Sequence, residues 1–183
     1  FAIIGVMPAG FRGLEVSAPD LWAPLSQLAQ FSPADRGRED NVGVEVWVRA
    51  SNLSQVNKHI FGTGDNTVGI NLGYEANNGT GWFGSVAGVA FAGSTGSANY
   101  RAGDWIHLAV VRAAGTTTFY ANGIPSGTTA AVPLDASGIN ALHMAVINGG
   151  ASRFAGDLAE ARIFTFAPGA FDPATDMLVT PVV

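Results

Sequence analysis

The chain has 183 residues, 48% of them apolar and 13% charged, and carries a net charge of −5. It is one domain's worth of protein, and with Lys58 as its single lysine it has no basic stripe, which argues against a nucleic-acid partner. The absence of cysteine excludes a disulfide frame and a thiolate metal centre, and no run approaches the roughly 18 apolar residues of a membrane span.

In chain order, residues 1–31 are apolar and punctuated by proline, with a brief helical pattern over 24–30. Residues 32–41, SPADRGREDN, form a polar, charge-dense linker. The first clear strand follows at 42–50, where Val42, Val44, Val46 and Val48 share one face and Glu45, Trp47 and Arg49 the other. Further strand-like runs cover 59–63, 67–74 and 81–91. At 105–113, Ile106, Leu108 and Val110 alternate with His107, Ala109 and Val111. A run over 116–121 then ends at Asn122-Gly123, the dipeptide that best tolerates positive φ at both centres of a tight hairpin turn. Runs at 142–147 and 156–166 complete the set, before a short helical pattern at 173–178 and a tail at 179–183. Short strands between turn residues, with 24 glycines in the chain, argue for an all-β antiparallel sandwich whose core includes Trp47, Trp105, Leu108, Val110, Phe119, Ile163 and Phe164.

Four ordered blocks carry a family resemblance over residues 42–178: VEVWVRA, HIFGTGDN, DWIHLAVVRAAGTTTFYANG and SRFAGDLAEARIFTFA. Together they resemble the laminin G-like, concanavalin A-like lectin/glucanase jelly roll. The resemblance implies a two-sheet sandwich and a recognition module for glycan or protein surfaces, often with a calcium ion at the sandwich rim. It also implies that His107 follows a family pattern. Residues 1–28, FAIIGVMPAGFRGLEVSAPDLWAPLSQL, resemble instead the periplasmic core segment of MacB-like ABC-transporter permeases. Phe11, Gly13 and Val16 equally suit the first strand of the jelly roll, so this segment is either permease-like or part of the sandwich.

Several chemistries can be weighed from the residues. Gly79-Thr80-Gly81-Trp82-Phe83-Gly84 fits G-x-G-x-x-G, but no βαβ pattern surrounds it, so turn glycines explain it better than a nucleotide site. A glycosidase needs two carboxyls about 5–9.5 Å apart. No strand-like run carries an Asp/Glu pair at i, i+2, and Asp157 and Glu160 fall on opposite faces of a regular strand, so the chain reads as a non-enzyme. His59, His107 and His143 each lie in an apolar run, where a hydrogen-bonded core histidine is the usual role. Glu160 and Arg162 sit two apart and suit a structural ion pair, with Arg49 or Glu45 as further partners.

Calcium wants hard oxygen donors gathered at loops. Asp65 and Asp157 are the candidate carboxylates, with Asn66, Asn77, Asn78 and Asn148 as neighbouring oxygens. Glycan recognition wants an aromatic platform beside amide, carboxylate and cationic partners. Tyr74, Asn77, Asn78, Trp82, Asn148 and Arg153 are the candidate ligand-binding residues, with Tyr100 and Arg101 close by in sequence. The expected function is a non-catalytic recognition module for glycan or protein surfaces, calcium-assisted and extracellular or periplasmic. The alternative is an interaction or spacer domain of a larger, ABC-permease-linked bacterial envelope protein with no small ligand, and a glycoside hydrolase comes third.

Overall fold

The computed structural model describes residues 41–63, 69–86, 90–96, 100–129, 142–145 and 152–179. Among them the strands are β1 (Asn41–Ala50), β2 (Lys58–Thr63), β3 (Ile70–Glu75), β4 (Gly81–Val86), β5 (Ala90–Ser94), β6 (Trp105–Ala113), β7 (Thr116–Ala121), β8 (Ile124–Thr129), β9 (Leu142–Met144) and β10 (Gly156–Thr165). They form two antiparallel sheets, ordered β10-β1-β6-β7-β8 and β5-β4-β3-β2-β9, which is the expected sandwich. One helical turn, α1 (Pro173–Asp176), follows the last strand, its first amides capped by Asp172.

The alternation in β1 explains the packing. Val44, Val46 and Val48 are buried between the sheets with Ile106, Leu108, Val110 and Phe119, against Ile70, Leu72, Tyr74, Trp82 and Val86 of the second sheet. Gly84 faces the same core, where a Cβ would meet Val110 and Phe119 at 2.3 and 2.8 Å, so only hydrogen fits there. The Asn122-Gly123 turn is present with φ of 50° and 76°, the type I′ geometry that its dipeptide predicts. Ala114-Gly115 makes the same turn between β6 and β7 with φ of 47° and 76°.

Three local expectations need correction. The single run expected at 81–91 is two strands, β4 and β5, paired antiparallel. β8 was not anticipated: its sequence, IPSGTT, lacks an apolar alternation and it lies at a sheet edge. Glu160 and Arg162 do not act as a same-face pair, because β10 bulges there. Glu160 takes φ 50°, and the register against β1 jumps from Glu45↔Arg162 to Trp47↔Ala159.

That bulge aligns the outer face of the first sheet into four rungs across β6, β1 and β10. They are Trp105–Arg49–Asp157, His107–Trp47–Ala159, Ala109–Glu45–Arg162 and Val111–Gly43–Phe164. Residues 166–179 fold back over this face: Met177 is buried with Ala109, Val111 and Tyr120, and Phe164, Phe166, Phe171 and Val179 pack around them. The anchor is polar. Trp47 Nε1 donates to the Leu178 carbonyl at 2.8 Å, and the Leu178 amide donates to Glu45 Oε2 at 3.1 Å. Glu45, 0% exposed, also accepts from His107 Nε2 at 2.9 Å and from Arg162 Nε, while Arg162 Nη2 donates to the Asp176 carbonyl. A carboxylate this deep persists because three donors, the Leu178 amide, His107 and Arg162, converge on it.

Candidate functional site

The first rung is the part of this face that stays open. Trp105 is 41% exposed, contrary to the core position expected for it, because it opens β6 at the end of the sheet, where residues 166–179 do not cover it. The Arg49 guanidinium lies 4.9 Å from the centre of its ring. Asp157 completes the row, accepting from Arg49 Nε at 3.0 Å and Nη2 at 2.9 Å. Aromatic, cation and carboxylate therefore stand side by side on three neighbouring strands, all reachable from solvent.

The loops around this rung are tied together. Gln55, in the β1–β2 loop, donates to the Asn52 and Ala155 carbonyls at 2.9 Å each and accepts from the Ala155 amide at 2.6 Å. Its own carbonyl accepts from Ala76, at the β3–β4 turn. Ser51 reaches Ala155 through both its amide and its hydroxyl, and Gly103 donates to the Ala50 carbonyl. The four loops thus make one rim at the end of the sandwich where β1 finishes and β6 and β10 begin.

The rim holds some of the expected residues and not others. Asn77 and Asn78 are exposed on a 3-10 turn (Asn77–Gly79), with the Asn77 amide held by Glu75. Arg153 is exposed just before β10, bridged through its backbone to His59. Trp82 and Tyr74 do not form a platform: they are 2% and 6% exposed, packed edge to face with centroids 4.7 Å apart in the central core. Burial pushes the Tyr74 hydroxyl's pKa up, with nearby Glu75 adding to the effect, and the hydroxyl donates to the Leu53 carbonyl. Asp65, Asn66 and Asn148 lie outside the described residues.

Asp157 is engaged by Arg49, and among the described residues no group of three or more His, Asp or Glu gathers that could hold a metal. The G-x-G-x-x-G stretch is a turn and a strand: Gly79 closes the 3-10 turn, Gly81 opens β4 and Gly84 faces the core. Two histidines are core residues, in different ways. His107 hydrogen-bonds Glu45 and not the backbone. His59 lies edge-on to Phe83 with Nδ1 buried and unpartnered among the described residues; burial, and then His143, hold its pKa below the usual histidine value. Among the described residues no helix is long and apolar enough to cross a membrane.

Comparison with known proteins agrees with this architecture. The family profile described as the concanavalin A-like lectin/glucanases superfamily matches residues 26–170. It leaves residues 1–25, where most of the permease resemblance falls, without a counterpart. No curated protein sequence matches the chain. Among solved structures, a candidate carbohydrate-binding protein from Bacteroides ovatus aligns with TM-score 0.54 and 17% identity, over 68% of this chain and 37% of that one. Domain 4 of AbnA, an extracellular arabinanase from Geobacillus stearothermophilus solved in complex with arabinotriose, aligns with TM-score 0.53 and 18% identity, over 74% of this chain and 64% of that one. The chain thus spans less than two thirds of either structure, and at these identities the likeness is one of fold.

Proposed function

This chain belongs to the concanavalin A-like lectin/glucanase superfamily, and from that premise we propose that it is a non-catalytic module that binds a glycan at the Trp105 rung, outside the cytoplasm. One observation carries the proposal: an exposed tryptophan flanked by an Arg–Asp pair, on the stretch of sheet that the C-terminal segment leaves open. A sugar ring has an apolar face of C–H groups that packs on an indole. Its hydroxyls both donate and accept, which suits a guanidinium and a carboxylate held next to each other.

The carboxylates support the non-catalytic part. Among the described residues, Glu45, Glu75, Asp157, Asp172 and Asp176 each accept hydrogen bonds that hold the fold, and acid–base work on a glycosidic bond needs two carboxyls placed across a cleft. Affinity electrophoresis through arabinan, galactan and β-glucan tests the proposal. The protein is expected to be retarded by at least one of them and to release no reducing sugar. Trp105→Ala should weaken that binding about thirtyfold, the scale of a central aromatic anchor. Binding that survives the substitution would place the site elsewhere.

A protein surface is the second reading, favoured by Val56 and Ile124, exposed apolar side chains (42% and 67%) on the β1–β2 loop and just after the β7–β8 turn. A blank result on all three polysaccharides would favour it.

A further inference from the structure

The dipeptide Asn-Gly occurs at three places in the chain, Asn78-Gly79, Asn122-Gly123 and Asn148-Gly149, and the last lies outside the described residues. Asparagine before glycine is the sequence most open to attack on the side-chain amide by the next backbone nitrogen, because glycine has no Cβ to hinder the approach. Both described asparagines are left-handed, with φ of 60° at Asn78 and 50° at Asn122. At ψ 13° the Gly79 nitrogen is turned away from the Asn78 side chain, so ring closure needs the backbone to rotate first. The two sites differ in what resists that rotation.

Asn122 is held through both its backbone and its side chain. Its amide donates to the His107 carbonyl at 2.8 Å, and its Oδ1 accepts from the His107 amide at 2.9 Å. The group that would be attacked is thus tied to the β6 backbone, in a turn whose flanking strands pair from Ala121↔Ile124 onward. Asn78 is exposed, as is Gly79, and its side chain has no hydrogen-bond partner among the described residues. Its 3-10 turn is three residues long and is closed by the Thr80 amide on the Asn77 carbonyl at 3.4 Å, beyond the usual range for such a bond. Rotation at Asn78 disturbs a long bond in a short turn, whereas rotation at Asn122 breaks two good bonds in a hairpin.

We infer that Asn78 is a site of spontaneous deamidation and that Asn122, with the same dipeptide, is protected by the fold. The Gly79 nitrogen loses its proton and bonds to Asn78 Cγ, while the Cγ–Nδ2 bond breaks and ammonia leaves. Water then opens the cyclic imide at either carbonyl, which gives an aspartyl or an isoaspartyl residue at position 78. Water is the only co-reactant. The product makes the chain one unit more negative than −5, and it sets a carboxylate in a turn whose Asn77 amide is already held by the Glu75 carboxylate.

Ageing the folded protein at mildly alkaline pH and mapping its peptides by tandem mass spectrometry reads positions 78 and 122 separately. Conversion should run about tenfold faster at 78, the ratio that an additional hydrogen bond or two to open would impose at 122. In urea, where only the shared dipeptide counts, the two rates should come together. Equal rates in the folded protein, or faster conversion at 122, would overturn the inference. So would a tenfold difference that persists in urea, because the selectivity would then be local to the sequence and owe nothing to the fold.

Discussion

Trp105→Ala and Trp82→Ala form a paired test, because the two residues share a side chain and differ in what surrounds it. Trp82 is 2% exposed, packed against Tyr74 and Phe154 with nothing able to fill the space it would leave. Its removal should cost about 3–5 kcal/mol, transfer and cavity terms together. Trp105 is 41% exposed, so its removal opens no cavity that water cannot enter. Full burial of a large apolar side chain is worth about 1.5–3 kcal/mol, and somewhat more than half of that is at stake for Trp105. The Arg49 stack overlaps with this burial, which leaves an expected loss of about 1–2 kcal/mol. Urea denaturation followed by far-ultraviolet dichroism measures both, and affinity electrophoresis on the same samples measures binding. The expected pattern is crossed: Trp82→Ala unstable, Trp105→Ala nearly as stable as the parent but unable to bind. A Trp105→Ala loss above about 3 kcal/mol would mean that the ring is packed, and would refute the reasoning that makes it a binding surface.

Glu45→Ala should destabilise by about 3–5 kcal/mol, because it strands Arg162 and His107 around an emptied site, and it should speed proteolysis within residues 166–179; a loss below about 1 kcal/mol in urea would show that the network does not anchor that segment. His59 has a pKa held below the ordinary 6.5, so the folded state resists its proton and stability should be greatest above pH 6.5 and fall as pH drops below it; His59→Gln should flatten that slope in melting temperatures between about pH 7.5 and 5.5. Ala114 holds φ 47° in its hairpin turn, a conformation costing an L-residue with Cβ about 1–2 kcal/mol, so Ala114→Asn should raise the urea midpoint, and a lower midpoint would show that the alanine methyl is packed.

The strands with one face in the core were legible in the sequence because their alternation records the packing. β1, β6 and β7 lie within a residue of their expected limits, and the Asn122-Gly123 turn is where its dipeptide places it. β8 was not legible, since IPSGTT is a half-exposed edge strand that shows no alternating core pattern. The bulge at Glu160 left no local mark either: only the pairing with β1 shows that one residue of β10 is extra.

Two expected platform residues, Tyr74 and Trp82, are core, and Trp105 is exposed, for a related reason. Trp82 and Trp105 look alike in sequence, each an aromatic near the start of an apolar strand, and period-two alternation says which face a side chain takes but not what covers that face. Trp82 points between the sheets. Trp105 points outward, on the same side as His107, Ala109 and Val111, and those three are covered by residues 166–179 while Trp105 is not. The difference between a core residue and an exposed one was therefore written some seventy residues away, in the path of the C-terminal segment. Glu45, Trp47 and Arg162 hold that segment by the Leu178 backbone and the Asp176 carbonyl, so the network that covers three rungs also defines the one left open. Arg153 and the Asn77-Asn78 turn do sit at this rim, because glycine- and asparagine-rich turns mark strand ends whichever face is functional. The sequence thus pointed to this end of the sandwich but not to the side chain left open there, and on the proposed reading the open rung makes Trp105, rather than Trp82, the residue on which ligand binding should depend.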